Sequence, residues 1–141
     1  MFDVEVCEPK RILWIRFQGE LAESDFAALD ALGQEWQGGP PYDIVLDLRF
    51  VEKAHLATDF VSKRGELPQA FTDRERIYVV PQDDLKLLVR LYAAYQESKG
   101  WRPPMVVETL GEALERLKVT TDDFVPVKLP TAPGKAASGQ P

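Results

Sequence analysis

Few residues in this chain carry the chemistry of a catalyst, and they are scattered. His55 is the only histidine and Cys7 the only cysteine. Neither a multi-histidine nor a Cys/His metal site can be built from them. Ser/His or Cys/His catalysis would have to use His55, yet no Gly-x-Ser-x-Gly elbow is present to offer a nucleophile. A histidine near the surface at a helix start is the plainer reading. Cys7 reads as a buried, inert strand thiol, because a reactive thiolate needs an electropositive neighbour. Three carboxylates could in principle do acid–base work. Asp47 sits near the carboxyl end of an apolar strand, the edge where open parallel sheets usually bind ligands, and Asp59 and Glu66 follow it. No residue pattern specifies a partner for any of them, so capping or solvated roles fit better. Gly38-Gly39 follows a helix and precedes a strand, the reverse of what a phosphate-cradling Gly-x-Gly-x-x-Gly loop requires. Lys63-Arg64 and Arg74-Glu75-Arg76 could gather as a basic patch, but the interspersed acids favour a solvated face. We therefore expect a protein that is not an enzyme, with no catalytic residue, no metal site and no cofactor.

The elements that would position these residues follow from periodicity. Residues 2–7 alternate apolar and acidic, as a half-buried strand does. A turn at Pro9-Lys10 leads into the β-branched and aromatic run Ile12 to Phe17, so the first two strands form an antiparallel hairpin that Gly19 ends. Glu23, Ser24 and Asp25 suit the positive end of a helix, and Phe26, Leu29, Leu32 and Trp36 give it one apolar stripe. Gly38-Gly39-Pro40-Pro41 stops it. A third strand is predicted at about Asp43 to Leu48 and a short helix at about His55 to Arg64, with Gly65 as a left-handed cap. Arg76 to Val80 is the fourth strand, and Leu85, Leu88, Val89, Tyr92 and Tyr95 line the longest helix up to Gly100. Met105 to Val107 is the last strand predicted. Thr109 and Glu112 have capping-box spacing before a final helix that faces inward through Leu110, Ala113, Leu114 and Leu117. Trp14 and Trp36 lie on core-facing stripes, whereas Trp101 falls in a loop, partly exposed.

Strands separated by helices pair in parallel and bury both faces. The fold expected is therefore α/β: one mixed sheet of about five strands, with an antiparallel opening hairpin and the remainder parallel, covered by four helices. Residues 1–119 make a single domain, and residues 120–141 a Pro/Gly/Ala-rich tail, disordered at its end over residues 130–141. The apolar fraction of 45% and charged fraction of 28% are those of an ordinary soluble globular protein. A net charge of -6 speaks against nucleic acid or an anionic membrane surface as partner. No apolar stretch approaches the roughly 18 residues that span a bilayer. A single cysteine and an acidic amino terminus point to a cytoplasmic protein.

The order of elements resembles the STAS fold, known from bacterial anti-sigma-factor antagonists, and especially its SpoIIAA-like branch. The resemblance rests on the opening hairpin, on Phe17-Gln18-Gly19-Glu20-Leu21 before the first helix, on the strand Ile44-Val45-Leu46-Asp47-Leu48, and on the ending Glu112-Ala113-Leu114-Glu115-Arg116-Leu117. It covers about residues 2–119. In switching members of that family a serine after an aspartate, at the start of the second helix, is phosphorylated and releases the partner. The equivalent positions here are about His55 and Leu56, so the phosphoacceptor is missing; Thr58 and Ser62 lie nearby without matching the motif.

The resemblance implies a regulatory or interaction module that binds a protein partner or itself, through the face around the second helix: His55, Leu56, Asp59, Phe60 and Lys63. The SpoIIAA-like branch is also similar in shape to lipid-binding CRAL-TRIO domains. That likeness implies the alternative, a small apolar ligand or lipid held between the sheet and the second and third helices.

Overall fold

The computed structural model describes residues 1–36, 38–68 and 73–128. The tail at residues 130–141, for which disorder is expected from composition, lies outside them. Strand β1 (Phe2–Cys7) turns into β2 (Ile12–Ala22), and helix α1 (Glu23–Trp36) leads to β3 (Asp43–His55). Helix α2 (Thr58–Gly65), β4 (Arg76–Val79), α3 (Asp83–Ser98), β5 (Met105–Val107) and α4 (Leu110–Leu117) follow in alternation. A short 3-10 turn (Thr121–Asp123) then precedes β6 (Val125–Pro126). The fold is α/β, with the sheet ordered β5-β4-β3-β2-β1-β6. The β2, β3, β4 and β5 strands pair in parallel, while β1 runs antiparallel to both β2 and β6.

The sheet has six strands among the described residues, where the sequence predicts about five. The extra one is β6, only two residues long and too short for periodicity to reveal. It is held by Val6 opposite Val125 and by Val127 N donating to Val4 O at 2.8 Å. Phe124 just before it is buried edge-on against Trp14, with ring centroids 5.4 Å apart.

The β2 and β3 strands outrun their predicted ends. The β2 strand continues past Gly19 to Ala22, and β3 past Leu48 to His55, the two pairing in parallel as far as Ala22 opposite His55. Charged residues Arg49, Glu52 and Lys53 hide this stretch from an apolar-run reading. Gly19 does not end the strand: its φ of +71° lets the chain pass an irregularity in register between Gly19 and Glu20. Because β3 runs on, His55 and Leu56 are not in helix α2, which begins at Thr58.

Side chains alternate between two packed faces. One carries Val4, Val6, Leu13, Ile15, Phe17, Leu46, Leu48, Leu32, Leu85 and Val89, and is covered by α1, α2 and α3. The other carries Cys7, Ile12, Trp14, Val45, Ile77 and Val79 beneath Ala113 and Leu114 of α4. Pairing of Cys7 with Ile12 and of Glu5 with Trp14 puts Cys7 on the same face as Glu5, where it is buried. The α4 helix starts with the expected capping box: Glu112 N donates to Thr109 Oγ1 at 3.1 Å and Thr109 N to Glu112 Oε1 at 3.2 Å.

Gly65 is not the left-handed cap expected from the sequence, since its φ is not among the positive ones. It is the last residue of α2, buried, where a Cβ would meet Tyr95 Cβ at 2.5 Å and Tyr92 O at 3.0 Å. The α2 and α3 helices can touch only because that atom is missing. Gly65→Ala should therefore destabilise the fold by about 1–3 kcal/mol through overpacking, read as a lower urea midpoint with an unchanged m-value. An unshifted midpoint would show that the two helices are not in close contact.

Candidate functional site

Of the apolar stripe on α1, only Leu32 is buried; Phe26, Leu29 and Trp36 are half-buried. The reason is a gap. The α2 helix leans on α3, whereas α1 meets α2 near Phe26 and Phe60 and through the Arg64–Asp30 pair and diverges beyond them. Between α1 and α2 the described residues line a cleft of about 540 Å³ over the buried sheet, within the roughly 300–1,000 Å³ usual for small-molecule sites. Its floor is Leu13 and Ile15 of β2, Ile44 and Leu46 of β3, and Tyr78 of β4. Leu29, Gly33 and Trp36 of α1 make one wall; Leu67 and Pro68 after α2, with Tyr92 of α3, make the other. The floor residues of β2 and β3 come from the first half of their strands, so the cleft opens at the amino edge of the parallel strands.

A few polar groups border this apolar space. Arg64 of α2 reaches across to α1 and donates both terminal nitrogens to the carboxylate of Asp30, at 2.9 and 2.7 Å. Its guanidinium also lies over the Phe26 ring, 4.8 Å from the centroid. Arg76, the first residue of β4, donates to Tyr92 Oη at 2.8 Å, to Gln96 Oε1 at 3.0 Å and to Arg102 O at 2.7 Å. Gln96 is wholly buried, and its Nε2 donates to Gly65 O at 2.6 Å and Leu67 O at 3.0 Å. Burial pushes the Tyr78 phenol well above its ordinary value, and the Tyr92 phenol beside it adds to the rise, while Arg76 and Arg64 act against it.

A second, narrow cavity of about 50 Å³ continues from the cleft beneath α2. It shares Leu46, Arg64, Tyr78 and Tyr92 with the cleft and adds Phe17, Phe26, Leu56, Phe60 and Leu88. This is the space between the sheet and the second and third helices anticipated for an apolar ligand. The larger volume lies one helix further along, against α1.

The five residues proposed for partner binding divide. Leu56 and Phe60 line the narrow cavity, Phe60 packing on Phe26 with centroids 5.8 Å apart. Asp59 and Lys63 pair with each other at 3.2 Å on the exposed surface of α2, with side chains 76% and 74% accessible. His55 ends β3 and meets Glu20 Oε1 at 2.5 Å across the β2–β3 pair. Asp47 is 0% exposed. Trp14 Nε1 donates to it at 3.1 Å, the Arg49 backbone at 3.1 Å, and the Arg49 side chain through Nε and Nη2 at 2.9 Å each. It is a satisfied structural carboxylate on the α4 face, away from the cleft. Glu66 is exposed on the far side of α2's end, 3.8 Å from Lys99. Trp101 is half-buried. Among the described residues no three His, Cys, Asp or Glu side chains come together as metal ligands would, and no helix is long and apolar enough to cross a membrane.

The sequence reading did not single out Gln96 or Tyr78 for a site, and it weighed Arg64 and Arg76 as part of a basic patch but favoured a solvated face; both line the cleft. Gln96 could have been noticed: it stands seven residues after Val89 and four after Tyr92, a polar side chain on the inner stripe of α3. The alternation that buries Ile77 and Val79 also puts Arg76 and Tyr78 together on the opposite face. Comparison with protein-family models and with curated proteins gave no match. The geometry alone carries the functional reading.

Two outcomes follow from this network. Gln96→Ala strips a partner from one buried and one part-buried carbonyl and from an arginine, so it should cost at least ~2 kcal/mol in chemical denaturation. A change within experimental scatter would contradict the buried-amide account. Because the folded state holds Tyr78 neutral above its ordinary pKa of 10.0, the unfolded chain ionises first. Stability should then be full below pH 10 and fall as pH rises beyond it. Tyr78→Phe should flatten that alkaline loss in melting temperature, leaving the smaller part due to Tyr42, whose phenol burial also raises. Identical alkaline slopes in both proteins would refute the assignment.

Proposed function

We propose that this chain is a non-enzymatic binding domain whose ligand is a small amphipathic molecule seated in the cleft between α1 and α2. The observation that carries this is the cleft of about 540 Å³ itself, bordered among the described residues by half-buried Leu29, Trp36 and Ile44 and exposed Leu67 above a buried sheet floor. A domain of this size gains most of its stability by closing its helices over such residues. Holding α1 away from α2 forgoes that gain, and a ligand restores it. The fully enclosed Asp47 and the lone, exposed His55 support a non-catalytic reading.

The STAS, SpoIIAA-like resemblance supplies a second reading: a cytoplasmic interaction module meeting a protein partner, or a second copy, at His55, Leu56, Asp59, Phe60 and Lys63. Its two apolar members line the narrow cavity, so a partner would meet His55, Asp59 and Lys63, all of which already have opposite charges beside them. Interface anchors are usually buried aromatic or aliphatic groups. The cleft is therefore preferred.

Gly33 provides the test. It lies in the wall of the cleft, and a Cβ built on it meets nothing within 4 Å. Gly33→Phe should fill the cleft without disturbing the helix, whose intrinsic preference improves by a few tenths of a kcal/mol to about 1 kcal/mol on losing a glycine. Titrating dodecanol into the wild-type protein should change Trp36 emission and saturate. Gly33→Phe should weaken that binding by about tenfold or more at an unchanged or higher melting temperature. Wild-type affinity in Gly33→Phe would overturn the reading, and a ligand-free dimer in native mass spectrometry would favour the interface instead.

A further inference from the structure

We infer that the ligand of this cleft is an anionic amphiphile, whose carboxylate or comparable headgroup sits against Arg76 while its hydrocarbon lies along Leu29, Trp36, Ile44 and Leu67. This rests on the cleft being a ligand site and adds the chemical class of the ligand. Among the described residues three charged side chains line the cleft: Asp30, Arg64 and Arg76. Asp30 and Arg64 neutralise each other through two hydrogen bonds. Arg76 is different. Its partners are a phenol, an amide oxygen and a backbone carbonyl, all neutral, and no carboxylate among the described residues lies within ion-pair distance of it.

A guanidinium stays charged at any pH a protein meets. Half-buried at the edge of an apolar floor, its charge is poorly hydrated and only partly offset by dipoles. An incoming anion would supply the missing counter-charge through a charge-assisted hydrogen bond. Positioning is already provided, because Tyr92 and the buried amide of Gln96 hold the guanidinium in one place. The local field also stands out from its surroundings: the cleft wall carries a net positive charge on a chain whose total is -6. The α1 and α2 helices end at this edge, and helix carboxyl termini repel anions. Arg76 is thus what makes the edge receptive.

Affinities for dodecanoate and dodecanol, equal in chain length and differing in head charge, give the test. The wild-type protein should bind dodecanoate about tenfold more tightly than dodecanol. Arg76→Gln should bring the ratio to unity or below while dodecanol still binds, which shows that the fold and the cleft survive. Arg76→Lys should retain part of the preference. Asp30→Asn, which removes a like charge from an exposed position, should tighten dodecanoate and leave dodecanol unchanged. Equal binding of the two ligands to the wild-type protein, or an undiminished preference in Arg76→Gln, would overturn the inference and leave the apolar cleft standing. Failure of both ligands to bind the wild-type protein would overturn the cleft reading and this inference with it.

Discussion

The side chain of Gln96 commits every hydrogen-bonding group it has to a different neighbour. Its amide nitrogen holds the carbonyls of Gly65 and Leu67 at the end of α2, and its oxygen holds Arg76 of β4. The backbone oxygen of the same residue accepts from Trp101 N at 3.0 Å, fixing the chain that leads to β5. A polar group so deeply buried stabilises only if it is fully satisfied, and then it enforces one arrangement. Together with the missing side chain at Gly65, this amide locks α2 onto α3. The second wall of the cleft is rigid as a result, and Arg76 and Tyr92 keep fixed positions at its rim. The α1 helix has no comparable lock. It meets the rest of that layer through one surface-accessible ion pair and through Phe26, which stacks near Phe17 and Phe60.

The alternation of strands and helices was legible because it depends on local periodicity. The parallel order, the capping box at Thr109, the turn at Gly38-Gly39-Pro40-Pro41 and the inner stripes of α3 and α4 all follow from spacing in the chain. What escaped the sequence had tertiary causes. Strand β3 runs on through Arg49, Glu52 and Lys53 because β2 pairs with it there, a contact between residues more than thirty positions apart. Pairing and burial gave β6 its place, though two residues have no periodicity. Gly65 reads as a cap in one dimension and acts as a point of close approach in three.

The candidate site was missed for a related reason. Sequence reasoning looked to the carboxyl edge of the strands, where Asp47 would serve a ligand, following the usual behaviour of open parallel sheets. In the fold Asp47 is consumed by Trp14 and Arg49 on the opposite face. The open space instead lies at the amino edge, beside Ile44, Trp36 and Arg76, where α1 and α2 end. How far apart two helices stand is decided by the packing of their flanks, and no residue type announces it. Only the half-measure was visible: an α1 stripe carrying Leu29 and Trp36, too large for the cover that a neighbouring helix provides.

The account therefore comes down to whether the space between α1 and α2 admits a ligand. Backbone and indole NMR shifts of the isotope-labelled protein, followed during addition of dodecanoate, address this directly. The account predicts saturable shifts concentrated at Leu29, Gly33, the Trp36 indole, Leu67 and Arg76, with Trp14 and the α4 face unmoved. Shifts confined to the outer surface of α2 around Asp59 and Lys63, or no saturable shift at the cleft, would contradict it.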